Sequence, residues 1–345
     1  MKKKPNIIFI LTDDQGAWAM GCAGNKDIRT PNLDRLAQEG IMFDNFHCAS
    51  PVCSPARASI VTGQIPSCHG VPDWISGGNL DAWKYPWMSE LEDFNMEDHA
   101  IDYLAGRKTY MEVLAENGYN CALSGKWHLG DNATRKKGLS KWYTIGRGGC
   151  HYYAADICDE GELSIGDQYV TELITRRALD DIRELSKEPE PFYLSVHYTA
   201  PHSPWNREEH PQKFLDLYKG CTFTATPDLP LHPMQINTCP VGDTPEKRKE
   251  NLTGYYAAIS VADDGVGKIE ALLEQEGILD NTVIIFTADN GMNMGHHGIW
   301  GKGNGTYPPN MYESAVKVPF IIRLPESNAC GSVCRMAASQ YDIFF

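Results

Sequence analysis

The sequence predicts an α/β fold: a large central mixed, mostly parallel β-sheet flanked by helices. Two short apolar runs, 6–11 and 281–287, are continuous rather than alternating, as in strands covered on both faces. Segments with apolar residues at helical spacing lie between such runs, as at 252–276. Strand–helix alternation of this kind belongs to sheets with helices packed against them. The 345 residues suit one large unit with a sizeable interior. No repeat, low-complexity tract or clean linker divides the chain, so residues 1–345 are read as one domain.

Residues 6–12 form the first buried strand, and Asp13 and Asp14 follow at once. Residues 31–40 read as a helix that opens on Pro31 and is closed by Gly40. Residues 41–46 are a short strand. A helix over 55–62 begins at or beside Pro55, an ordinary place for proline. Residues 64–100 are rich in Gly, Trp, Pro, Asp and Met and have weak periodicity. They read as an irregular surface excursion, and excursions this long are usually functional. A helix over 109–117 ends at Gly118, and a strand over 119–123 leads into Ser124-Gly125-Lys126-Trp127-His128. Residues 168–187 make a long helix, 191–197 another buried strand, and 205–250 a proline-rich loop region. The helix over 252–276 puts Ile259, Val266, Ile269 and Leu272 on roughly one face. The strand at 281–287 precedes Asp289-Asn290-Gly291, and 318–324 is a final strand with Pro319 near its start.

Composition bounds the partners. Lys and Arg total 31 against 45 Asp and Glu, a formal net charge of −14. Such a surface disfavours nucleic acid and anionic membrane, but not a small anion held in a locally basic pocket. No segment approaches the length of a transmembrane span. The basic start Met1-Lys2-Lys3-Lys4 and the apolar run after it are too short for a secretory signal and read as the first strand. The 11 cysteines lack paired CxxC spacing, which argues against a structural zinc site and for free thiols in a reducing compartment. A cytoplasmic location follows from the sequence as it stands, and a periplasmic or secreted one if an export signal has been removed.

Three strands end in polar clusters: Asp13-Asp14, His197 to His202, and Asp289-Asn290. Ligands of open α/β sheets sit beyond the carboxyl ends of strands. Four oxygen donors there suit a hard divalent cation, although a helix cap or turn would account for either pair alone. Lys126, His128, Arg57 and Lys302 are basic groups in the same kind of position. A lone lysine is usually a solvated one. Together the set fits a negative ligand bridging a cation and several basic donors, as in an anion-ester hydrolase.

The run Cys53-Ser54-Pro55-Ala56-Arg57-Ala58-Ser59, followed by Thr62-Gly63, resembles the signature of type I, formylglycine-dependent sulfatases of the alkaline-phosphatase-like superfamily. The resemblance extends through Asn6 to Gln15, Thr30 to Asp34, Gly125 to Gly130, Pro201-His202, Thr287 to Gly291, Gly295 to Gly298 and Gly301-Lys302-Gly303. It implies an alkaline-phosphatase-like sandwich and a sulfuric ester hydrolase. It also implies Ca2+ at Asp13, Asp14, Asp289 and Asn290, and formylglycine made from Cys53 by a formylglycine-generating maturation enzyme. Arg57 matches the arginine that steadies the formylglycine, and Lys126 and Lys302 match the lysines on the sulfate oxygens. His128 matches the histidine beside the formylglycine hydroxyls and His202 the one near the leaving oxygen. His197 is assigned mainly to structure, and His297 is expected to border the pocket. A hydrated aldehyde has two hydroxyls on one carbon: one attacks sulfur, and loss of the second proton then expels sulfate. Phosphate or phosphonate monoester hydrolases of the same superfamily carry similar logic, and a noncatalytic sulfated-glycan binder would need the site present but idle.

Two expectations concern the substrate and the chain end. Trp74, with Trp83, Tyr85 and Trp87 further along 64–100, suits a small sulfated saccharide, although loop packing explains such aromatics equally well. The last five residues, Tyr341 to Phe345, hold three aromatics and an isoleucine. Relative to the family's pattern a small C-terminal subdomain is expected to be missing. The expectation is a truncated catalytic domain with an exposed apolar edge, unless the end tucks back as a helical turn or pairs with a second copy in a homo-oligomer.

Overall fold

The computed structural model describes residues 4–90 and 98–344. Ten strands form one sheet, in the spatial order Ser332–Cys334, Ile41–Phe43, Phe320–Arg323, Thr282–Ala288, Asn6–Thr12, Phe192–His197, Asn120–Gly125, Leu139–Ile145, Asp156–Asp159 and Glu162–Ile165. The run from Thr282–Ala288 to Leu139–Ile145 is parallel throughout. Phe320–Arg323 runs antiparallel to both its neighbours, and the last two strands close the other side as an antiparallel hairpin. This is the mixed, mostly parallel sheet that the alternation predicts.

The first strand shows why its run is continuous. Ile8 and Ile10 pack on one face with the helices Pro31–Glu39, Val170–Leu185 and Pro245–Gln275. Phe9 and Leu11 pack on the other with Cys53–Thr62 and Tyr110–Glu116. Successive side chains of a strand alternate between faces, so a strand buried on both must be apolar at every position. All four of these side chains are buried.

Several boundaries move. The 41–46 strand is broken at Asp44-Asn45, and Phe46–His47 pairs instead with Ala338–Ser339. The signature helix begins at Cys53, two residues before Pro55. The helix expected over 252–276 starts at Pro245, with Thr244 accepting the Lys247 N–H as its cap. Gly40 does follow the Pro31–Glu39 helix, but in extended rather than left-handed backbone. A Cβ there would lie 2.6 Å from the Ile322 carbonyl oxygen, so close backbone approach is what excludes a side chain. The strands Leu139–Ile145, Asp156–Asp159 and Glu162–Ile165 were not anticipated.

The 64–100 segment is less superficial than its composition suggests. Val71, Ile75, Leu80 and Met88 are buried, and Ile75 donates its N–H to the Ser54 hydroxyl. Its stretch 91–97 lies outside the described residues. The expected exposed apolar edge at Tyr341 to Phe344 is not found. Gln340–Phe344 forms a helical turn, and Phe344 packs edge-on to Tyr110, 6.4 Å between ring centroids. Partial burial is the physical reason: Phe344 packs against one neighbouring core and Ile343 against two. All 11 cysteines are free thiols. Among the described residues no helix is long and apolar enough to cross a membrane.

Candidate active site

Four adjacent parallel strands deliver their carboxyl ends to one place. Thr282–Ala288 leads to Asp289 and Asn290, and Asn6–Thr12 leads to Asp13 and Asp14. Phe192–His197 leads towards His202, and Asn120–Gly125 leads to Lys126 and His128. The last turn depends on glycine: Gly125 has φ of 117°, and a Cβ there would meet the His197 carbonyl oxygen at 1.9 Å. The Cys53–Thr62 helix points its first residue at the same place. Its N-terminal end carries unpaired N–H groups and favours negative charge.

The acids are held by one another and by cations. Asp13, Asp14 and Asp289 bring carboxylate oxygens within 4.8 Å of one another. Asp14 accepts from Asn290 Nδ2 at 2.8 Å and from Lys302 Nζ at 2.7 Å, while its own N–H donates to Asp289 Oδ1. Asp289 Oδ2 accepts from Arg57 Nε at 2.9 Å, and Lys126 Nζ donates to Asp13 Oδ2. Arg57 also donates to the Lys126 carbonyl, so it braces both sides of the cluster. Lys302 Nζ lies 2.7 Å from Cys53 Sγ, and Cys53 Sγ lies 3.9 Å from Asp14 Oδ1. Asp13, Asp289, Asn290, Cys53, Lys126 and His128 are completely buried.

Burial alone would raise Asp13, yet Lys126, His202, Arg57 and Lys302 hold its carboxyl well below the usual range. Burial, with the Asp13 carboxylate, pushes Asp289 up to about 7 against the pull of Arg57. Burial opposes the Lys302 ammonium, but Asp14 and Cys53 keep its pKa well above the ordinary lysine value. Burial, then Lys126, keeps His128 well below the usual histidine value. Burial also lowers His202, partly offset by Asp13 and Asp14.

The residues present fit a hard dication. Asp13 Oδ1 and Asn290 Oδ1 are buried without a hydrogen-bond partner, an arrangement that costs about 1–3 kcal/mol per group unless something fills it. Oxygen donors without sulfur or imidazole suit Ca2+ or Mg2+. A pH dependence follows. Asp289 has a folded value above its ordinary 3.8, so without a cation the fold loses stability as pH rises from that value to about 7. Asp13 is shifted down, so its contribution is complete across that window. Added calcium should therefore raise Tm more at about pH 8 than at about pH 5, and at about pH 8 a hundredfold excess over Kd should stabilise the fold by about 2.7 kcal/mol. Calorimetry with and without chelator checks this, and equal shifts at both pH values would contradict it.

The histidines differ in their free nitrogen. His128 donates Nε2–H to the Ile75 carbonyl at 3.0 Å, which leaves Nδ1 buried, unpartnered and able to accept a proton. His202 donates Nδ1–H to the Ser203 carbonyl, and its Nε2 lies 3.8 Å from Asp14 Oδ2. His197 donates Nδ1–H to the Lys126 carbonyl and supports that loop. Trp74 is half-exposed and sits edge-on to His128 at 6.4 Å. His297 is elsewhere: it stacks on Tyr312 and lines a cavity of about 630 Å³ with Trp18, His296 and Phe320, apart from the acids, Cys53 and both lysines.

Sequence reasoning missed several supports. Tyr255 donates its hydroxyl to the Asp14 carbonyl, and Gln340 Nε2 donates to the carbonyls of Ala288 and Asp289. Tyr152 donates its hydroxyl to the His202 carbonyl. None had a local signal, because each acts across a long sequence separation.

The sulfatase family model matches residues 5–344, and the chain belongs to the sulfatase family. It is 28% identical to the N-acetylglucosamine-6-O-sulfatase of Bacteroides thetaiotaomicron, over 99% of this chain and 66% of that protein. It is also 28% identical to the ulvan-active sulfatase of Formosa agariphila, over 93% of this chain and 56% of the relative. The chain thus spans less than two thirds of the length of these relatives. A structure solved with its substrate D-glucosamine-2-N,6-O-disulfate superposes with a TM-score of 0.76 at 24% identity, over 99% of this chain and 75% of the other. A phosphonate monoester hydrolase of Agrobacterium radiobacter gives 0.68 at 20% identity, over 99% of this chain and 72% of the other. Both share the fold, so the fold by itself does not choose between sulfate and phosphonate esters.

Proposed function

We propose that the chain hydrolyses a sulfate monoester on a small saccharide, with a nucleophile derived from Cys53 at a calcium site. The observation that carries this is the convergence of Cys53, Lys302, Lys126 and Arg57 on three buried carboxylates. That is a pocket for a tetrahedral anion between cations. The relatives named above act on sulfated N-acetylglucosamine and ulvan by their names, which favours a carbohydrate here too. Trp74 offers a half-exposed aromatic face beside His128 for a sugar ring.

When bound, calcium would be held by Asp13, Asp14, Asp289 and Asn290 and would supply a Lewis acid for charge on the sulfate oxygens. Formylglycine at position 53 would supply the attacking hydroxyl. Lys126 and Lys302 hold sulfate oxygens, and Lys302 remains cationic because Asp14 holds its proton. His128, neutral with a free Nδ1, accepts a proton near position 53. His202 gives a proton to the departing oxygen from Nε2 only when its ring is charged, a form that the neighbouring Asp13 and Asp14 favour against burial. Because Cys53 is completely buried, the maturation enzyme must reach it before the chain closes over it.

His202→Ala tests the proton donor. It should lower kcat on a sugar sulfate by about 10²–10⁴-fold, and much less on an aryl sulfate whose phenolate leaves unaided. Equal losses on both substrates would remove His202 from that role.

A further inference from the structure

Three side chains of the site form a second possible ligand set while Cys53 is still a thiol. Asp13, Cys53 and His202 each present one ligand atom, and these atoms lie within 4.8 Å of one another. Asp13 Oδ1 is buried with no hydrogen-bond partner. His202 gives its Nδ1–H to the Ser203 carbonyl at 2.7 Å. That bond fixes the tautomer and leaves the Nε2 lone pair facing the acids, the usual arrangement of a metal-bound histidine. Carboxylate, imidazole and thiol make a borderline-soft donor set, unlike the all-oxygen set beside it.

We propose that the chain with Cys53 still a thiol binds a thiophilic divalent cation of the Zn2+ class through Asp13, Cys53 Sγ and His202 Nε2. The inference rests on the reading of Cys53 as a precursor side chain. Binding forms a metal–sulfur bond and releases the thiol proton to solvent. Asp14 can complete the shell, since its oxygens lie 3.9 Å from Cys53 Sγ and 3.8 Å from His202 Nε2. The ion enters past His202, the partly exposed member of the trio. Lys302 opposes it, because its ammonium sits 2.7 Å from the same sulfur. Conversion of Cys53 removes the soft donor, so maturation changes the pocket's preferred ion from thiophilic to hard while it creates the nucleophile.

The test uses the full chain made without the maturation enzyme, with the thiol at position 53 checked by mass. Titration with Co2+ should give a sulfur-to-cobalt charge-transfer band that saturates at one equivalent and is displaced by Zn2+. Cys53→Ser and His202→Ala should each weaken the ion by more than about a hundredfold. Lys302→Gln, which removes the competing ammonium, should bind it at least as tightly. Circular dichroism establishes that each variant is folded. A folded thiol form without the band, a band that persists in Cys53→Ser, or loss of the band in Lys302→Gln would overturn the proposal. The matured chain is assayed separately on sulfate esters. Hydrolysis there with no cobalt band in the thiol form defeats this inference alone, whereas a matured chain without hydrolysis defeats the reading beneath it.

Discussion

Cys53→Ala should lower turnover of a sulfate monoester by about 10⁴–10⁶-fold, as expected when a nucleophile is removed from a site whose other groups remain. The change truncates one buried side chain at the first residue of a fully buried helix. The cost in stability should stay near about 1–2 kcal/mol, since the cavity is small. Steady-state rates with matured wild-type protein, alongside melting curves, separate the two effects. Substantial residual turnover in a correctly folded variant would mean that another group attacks sulfur. Cys53→Ser belongs in the same series, because a hydroxyl restores polarity at position 53 without an aldehyde.

Asp13→Ala should be costly in a different way. Asp13 is completely buried, accepts from Lys126, and lies 3.9 Å from Arg57. Its removal leaves buried cations without their counter-charge, which typically costs about 3–5 kcal/mol. A fall in Tm on the order of 10 °C is expected, together with loss of calcium-dependent stabilisation. Asp13→Asn keeps the shape and should fall between wild type and alanine. Calorimetry with and without calcium gives both readings. A variant as stable as wild type that still responds to calcium would take Asp13 out of the ion site.

The site's outline was legible because strands buried on both faces announce themselves and their carboxyl ends are easy to find. Asp13, Asp14, Asp289 and Asn290 each follow such a run directly. Leu139–Ile145 escaped because Ser140, Lys141 and Thr144 interrupt its apolar character near the sheet's edge. The hairpin after it carries a signal in its loop. Glu160 and Gly161 both take positive φ, at 49° and 94°, between the paired Asp159 and Glu162. A residue followed by glycine at a two-residue loop is how tight hairpins are made. His297 was drawn to the pocket by its neighbours in sequence, but a left-handed backbone at φ of 57° and stacking on Tyr312 carry it to another cavity. Gln340, Tyr255 and Tyr152 support site residues 50 to 241 positions away, and no local pattern encodes such a contact. Composition cannot say where a chain end docks, so the terminal aromatics fit either an exposed edge or a tucked-back helical turn; Phe344 takes the second course and docks on the core that includes Tyr110.

The most direct measurement compares kcat/KM of the matured chain on a matched pair of sulfate and phosphate monoesters of one alcohol, with calcium present and with Cys53→Ala as the blank. Lys126 and Lys302 meet buried carboxylates in one pocket, and the sulfatase family match covers residues 5–344. On that basis the sulfate ester should be the faster substrate by at least about tenfold, and both rates should collapse in the blank. A phosphate rate above the sulfate rate, or a sulfate rate that survives loss of Cys53, would contradict the account.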